Sequence, residues 1–112
     1  MATRLERDEM FEILNGDLIR KVLPIRGKAY QHRCRSATYE RVAHAAEELG
    51  TAGLTLDDIV DREDVPFSQA AVALAFMKER GCLVTRYRRT YPASEVLFED
   101  AMIEFCALAE TA

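Results

Sequence analysis

The sequence predicts a mainly α fold with a small antiparallel β-hairpin or sheet. Three observations carry this expectation. Apolar residues recur every three or four positions in three long segments between residues 37 and 108, and turn or capping residues separate them. A stretch of period two, "YQHRCR", precedes these segments, and a second, "CLVTRYRRTY", begins directly after Gly81. The length, 112 residues, suits one domain that buries its core without metal or disulfide staples.

Taken in order, Thr3 and Glu6 form a Thr-x-x-Glu capping box. Leu5, Met10, Phe11, Ile13 and Leu14 follow as a loose helical stripe that Asn15-Gly16 stops, so a short N-terminal helix is expected. In "YQHRCR" Tyr30, His32 and Cys34 point one way, and Gln31, Arg33 and Arg35 point the other. With the turn-like "IRGK" ahead of it, Leu18 to Ile25 and Ala29 to Cys34 make a candidate hairpin. Leu18-Ile19 and Val22-Leu23 fit a helical spacing as well.

The next segment places Tyr39, Val42, Ala43, Ala46 and Leu49 on one face of a helix that Gly50 ends. Thr55, with Asp58 three residues on, caps a short second helix that ends before Pro66. Ser68 is expected to cap an apolar third helix, "SQAAVALAFMKERG", closed by Gly81 at the C′ position. Leu83, Val84 and Tyr87 are strand formers of a following hairpin with its tip at "RRT". Ser94 is expected to cap a last helix with Leu97, Phe98, Ala101, Met102, Phe105 and Leu108 on one stripe. The organisation expected is a single domain over 1–112: a helix and candidate hairpin in 1–36, a core in 37–91 and a C-terminal helix in 92–112.

Composition narrows the class. With 49% hydrophobic and 30% charged residues, and no apolar run long enough to cross a bilayer, the chain reads as soluble and globular. No membrane partner is expected. The opening "MATRLERDEM" lacks an apolar signal core, which places the protein in the cytoplasm. Cys34, Cys82 and Cys106 are odd in number and widely spaced, so reduced, mostly buried thiols are expected rather than a disulfide or metal site.

Net charge is −4, yet it is strongly blocked. Residues 20–39 carry +6 and residues 69–91 carry +4, separated by acidic stretches. Screening confines each field to about 10 Å at ordinary salt, so basic surface survives locally on an acidic chain.

The order of helix, short helix after an acidic turn, helix and hairpin past a glycine resembles the winged helix-turn-helix domain of bacterial regulators. The likeness spans about Tyr39 to Tyr91. It rests on Leu56, Ile59 and Val65 around the turn, and on Ser68, Val72, Leu74 and Met77 of the third helix. "ERGCLV" is similar to the Glu-x-Gly-Leu-Val run that opens the wing. With the outer helices, the resemblance implies a winged helix-turn-helix with extra N- and C-terminal helices. Its third helix and wing would be the surfaces that touch DNA.

The candidate nucleic-acid-binding residues are Gln69, Lys78, Arg80, Arg86, Arg88 and Arg89, joined by Arg33 and Arg35 if the 29–34 strand pairs with the wing. Only Gln69 on the third helix matches a base edge, and Asp57, Asp58, Asp61, Glu63 and Asp64 ahead of it repel phosphates. Phosphate contacts by arginine are therefore the expected mode. Leu97, Phe98, Met102, Phe105 and Leu108 are the candidate interface of a homodimer. Packing of the same stripe onto Met10, Phe11 and Leu14 is the intramolecular alternative. His32 and His44 stand in no catalytic or metal-binding spacing, and no phosphate loop or nucleophile motif occurs. Neither an enzyme nor a cofactor or metal is expected. The function expected is a nucleic-acid-binding protein, a candidate transcriptional regulator, that meets double-stranded DNA through a basic wing. The alternative is a non-enzymatic module whose partner is another protein.

Overall fold

Asn15 and Gly16 take φ of 53° and 84°, the two left-handed residues that a two-residue type I′ hairpin turn requires. They join two strands. The computed structural model describes residues 7–111, where β1 (Arg7–Leu14) and β2 (Asp17–Pro24) pair antiparallel from Leu14↔Asp17 outward. The expected N-terminal helix is therefore a strand, and Asn15-Gly16 is a hairpin turn rather than a helix stop. Thr3, Leu5 and Glu6, the proposed cap and stripe start, lie outside the described residues.

β3 (Tyr30–Cys34) pairs antiparallel with the other side of β2, from Leu18↔Cys34 to Val22↔Tyr30. The result is a three-stranded sheet in the order β1-β2-β3. Its inner face carries Phe11, Leu18 and Cys34 into the core. Pairing of the 29–34 strand with the later hairpin does not occur, because β3 has β2 as its neighbour and the two sheets are separate.

The rest of the chain wraps around one helix. α1 (Ser36–Leu49) is followed by a single 3-10 turn over Gly50–Ala52, then α2 (Leu56–Glu63) and α3 (Phe67–Glu79). The capping box at α2 is complete: Thr55 Oγ1 accepts from Asp58 N at 3.1 Å, and Asp58 Oδ2 accepts from Thr55 N at 3.0 Å. α3 starts earlier than expected, with Pro66 at the N-cap position and no side-chain cap, so Ser68 lies inside the helix. Its end matches expectation. Gly81, at φ 78°, lets Cys82 N reach Met77 O at 2.8 Å and Gly81 N reach Lys78 O at 3.1 Å, the paired bonds of a Schellman motif.

β4 (Leu83–Arg86) and β5 (Arg89–Pro92) form the second hairpin, with Arg86↔Arg89 as the last pair. The tip is thus Tyr87-Arg88, not "RRT". Leu54, between α1 and α2, joins this sheet by an antiparallel bridge to Thr90, with N–H···O bonds of 2.8 and 2.9 Å in both directions. Gly53 beside it carries no side chain, and a Cβ there would lie 2.6 Å from the Tyr91 ring, so the tyrosine packs closely on the glycine backbone. The chain ends in α4 (Leu97–Glu110), whose N-cap is Val96; Ser94 Oγ accepts from Val96 N just ahead of it. The fold is therefore mixed α and β: an N-terminal antiparallel sheet, four helices and a second hairpin. Among the described residues no helix is long and apolar enough to cross a membrane.

α4 lies along α1 and touches β1. Tyr39 joins the layers from the centre. Fully buried, it donates a hydrogen bond to Ala101 O at 2.7 Å, and its ring lies 4.9 Å from that of Phe105 and 6.0 Å from that of Phe76. Burying such a ring contributes more than its hydroxyl does, and the two contributions separate by mutation. Tyr39→Phe should cost about 1 kcal/mol of unfolding free energy. Tyr39→Ala should cost about 3–5 kcal/mol. Urea unfolding at an unchanged m-value is the measurement.

Candidate nucleic-acid interface

The eight cationic and polar residues expected to form one surface divide into two groups. The first group is engaged within the chain. Arg80, at the C-terminal end of α3, pairs with Glu104 of α4 at 3.1 Å and lies 5.0 Å from the centroid of the Phe76 ring. Arg89 reaches Asp58 at 3.2 Å and donates to Gly53 O at the same distance, tying β5 to the start of α2. Arg33 pairs with Asp17 across the N-terminal sheet at 3.1 Å. Gln69 is half-buried, and its side-chain oxygen accepts from Arg35 N at 3.1 Å, which holds the β3–α1 junction against α3. Exposed ion pairs are worth at most about 1 kcal/mol each, so these contacts orient elements more than they stabilise them. The expected continuous cationic surface is broken by these carboxylates and by the separation of the two sheets.

The second group remains open. Arg86, Arg88, Lys78 and the Arg35 side chain are exposed and enter no ion pair among the described residues. Arg86 and Arg88 flank Tyr87 at the tip of the β4–β5 hairpin, and Tyr87 is 98% exposed. Tyr87 and Arg88 both take positive φ, 50° and 73°. Non-glycine residues pay about 1–2 kcal/mol each for that conformation. The type I′ geometry matches the strand twist, while the side chains suit contact with something outside rather than the turn itself.

Beside the hairpin runs a groove of about 720 Å³ bordered by Arg86, Tyr91 and Ser94, with Glu47 and Glu95 on its walls. Glu47 Oε1 already accepts the Phe98 N–H at 3.0 Å, supplying a carboxylate to the first turn of α4. Nearby, the imidazole of His44 stacks on Phe98 at 3.8 Å, within 16° of parallel. The two acids oppose anions in this groove, across from Arg86 on its border.

α3 has no free face. Ala70, Val72, Ala73, Leu74, Phe76 and Met77 are all buried, and the N-terminal sheet covers the side that α1 and α2 leave open. Of its length only Phe67, Ser68, Lys78 and Glu79 are exposed.

The chain matches no protein-family model, no curated protein and no solved structure.

The stripe expected to form a dimer lies inside the chain. Leu97, Phe105 and Leu108 are buried, and Phe98 and Met102 pack on the same core. The intramolecular alternative describes this placement through Phe11, whereas Met10 and Leu14 point away and are exposed. Among the described residues no three His, Cys, Asp or Glu side chains are grouped to hold a metal.

Sequence reasoning named Tyr87 only as a strand former. The reading that put the tip at "RRT" missed its place there; a two-residue loop between "LVTR" and "RTYP" is the signal that could have found it.

Burial also sets the thiol chemistry. Burial, assisted by the Asp17 carboxylate, pushes the Cys34 thiol up from 9.0 to about 12, and burial followed by Glu104 and Asp100 raises Cys82. Cys106 is exposed. Since the thiolate is the nucleophile, iodoacetamide at about pH 8 should modify Cys106 alone in the folded protein and all three thiols after denaturation, as read by intact mass. The unfolded Cys34 thiol ionises first, so unfolding releases a proton between pH 9 and about 12. Stability should therefore fall as pH rises through that window, which a denaturation series on Cys34→Ala and the parent chain would check.

Proposed function

We infer that the chain is a nucleic-acid-binding protein built on a winged helix, which grips the phosphate backbone with its wing and does not read bases with its third helix. The order of α1, the Leu54 bridge, α2, α3 and the β4–β5 hairpin supports the winged-helix reading. In that arrangement a short strand between the first two helices completes the wing sheet. The observation that carries the binding reading is the tip itself. Two unpaired arginines flank a tyrosine that is 98% exposed, on a turn that favours glycine and asparagine. Arginine supplies the phosphate contact and counterion release, and the ring supplies a stacking or groove-lining surface.

The covered α3 and the engaged Gln69 argue against base readout, as does the acidic α2. Asp57, Asp61 and Asp64 are exposed there without an ion pair among the described residues. Backbone contact without readout gives binding that is weakly selective for sequence and strongly dependent on salt. A second reading is favoured by the same acids: α2 and the exposed Phe67 at the start of α3 form a docking surface for a basic protein.

Fluorescence anisotropy with a labelled duplex of mixed sequence tests the first reading. Log affinity should fall linearly with log salt, and Arg86→Ala/Arg88→Ala should weaken binding and flatten the slope by about 2, one per lost phosphate contact. No binding at low salt, or an unchanged slope, would reject it and leave the protein-docking reading. Tyr87→Asn/Arg88→Gly should raise stability by about 1 kcal/mol, because both residues accept positive φ, and should weaken duplex binding in the same sample.

A further inference from the structure

The outer face of the N-terminal sheet sets exposed apolar residues among its charges. Met10 and Leu23 stand there 63% and 56% exposed, and Ile25, in the turn after β2, is 69% exposed. So among the described residues no helix covers this face. At its centre the β1–β2–β3 register sets Glu12, Ile19 and Arg33 in one row across the sheet. Ile19 is only 1% exposed although it lies outside the main core. Two ion pairs, Lys21–Glu12 at 2.9 Å and Arg33–Asp17 at 3.1 Å, join the charged residues around it on that face.

We propose that this face seats a second copy of the chain, packed sheet to sheet about a twofold axis that runs along β2. Charge selects this occupant. The acid of the central row is on edge strand β1 and the base is on edge strand β3. A rotation about β2 carries β1 of one copy over β3 of the other. Glu12 then meets Arg33 twice, on either side of the axis that passes over Ile19. Lys21, the next residue on that side of β2, is drawn off the axis by its own Glu12, so the two lysines do not collide. Each twofold contact becomes a chain of charges, Lys21–Glu12 of one copy to Arg33–Asp17 of the other, while Met10 and Leu23 bury at the flanks.

The size of the face sets the strength. Eight-residue strands span about 27 Å and three strands about 14 Å, a flat footprint of roughly 380 Å². That is below the ~800 Å² per partner of standard interfaces, so the dimer belongs to the reversible, micromolar class.

Sedimentation or light scattering over about 1–300 μM, a range that brackets such a constant, tests the geometry. The parent chain should rise from 12.7 kDa toward twice that mass, and Met10→Asp/Leu23→Asp should remain monomeric while melting within a few degrees of the parent. The charge arrangement makes a sharper demand. Glu12→Arg alone places like charges at both twofold contacts, as does Arg33→Glu alone, and each should weaken self-association at least about tenfold. An equimolar mixture of the two variants restores opposite charges at both contacts and should dimerise again. A parent chain that is monomeric throughout would overturn the proposal, since the face would then serve another occupant or none. Dimers that survive Met10→Asp/Leu23→Asp, or a mixture that stays monomeric, would overturn it equally.

Discussion

One helix dictates the arrangement of everything else. α3 is apolar around its whole circumference, and such a helix is stable in water only if every side is covered. α1 and α2 cover two sides, the hairpin meets its C-terminal end, and the remaining side needs a layer that the helices cannot supply. The N-terminal sheet is that layer. Phe76 shows the convergence: its ring meets Phe11 of β1 edge-on at 5.3 Å, Tyr39 of α1 at 6.0 Å, and the Arg80 guanidinium at 5.0 Å. Each large apolar side chain buried this way contributes about 1.5–3 kcal/mol, which is why the sheet and the helices share one core.

Covering α3 has a functional consequence. A third helix enclosed by its own domain cannot enter a major groove along its length, whatever residues it carries. Chemistry directed outward must therefore come from edges and tips. The arginines near the core follow the same logic. Arg80, Arg89 and Arg33 each bridge two elements that the core brings together, and a guanidinium with several donors suits that task better than an ammonium. Arg86 and Arg88, at the hairpin tip, enter no ion pair among the described residues.

Much of this was legible from residue types alone. The Thr55–Asp58 box, Gly81 and the periodicity of α1, α3 and α4 are local signals, and local hydrogen bonding realises them. β1 was not legible, for a definite reason. A half-wet strand alternates apolar and polar, but β1 has Phe11 and Ile13 on the inner face and Met10 and Leu14 on the outer face. Apolar residues on both sides erase the period of two and leave a pattern that fits a loose helix. Asn15-Gly16 was the stronger clue, since that pair suits a hairpin turn at least as well as a helix end. The ion pairs that interrupt the cationic surface join residues 16–31 positions apart, and no local signal encodes them.

The obscured alternation and the proposed sheet-to-sheet dimer are two views of the same fact. Evolution has little reason to hold Met10 and Leu23 on a wet face, because exposed apolar patches invite association. The hairpin tip departs from its local rule in the opposite sense, placing arginine and tyrosine where asparagine and glycine fit. Sequences specify a fold through agreement between local preference and global structure, and departures concentrate where something other than stability is at work. The two departures here sit on separate sheets and rest on different forces. Phosphate contact is electrostatic and weakens steeply with salt. Burial of Met10 and Leu23 is driven by water and is largely indifferent to salt, whereas the Glu12–Arg33 contacts of the proposed dimer are screened by it. Ionic strength would therefore act unequally on the two proposed contacts: it would release a duplex from the tip and only weaken a sheet-to-sheet dimer.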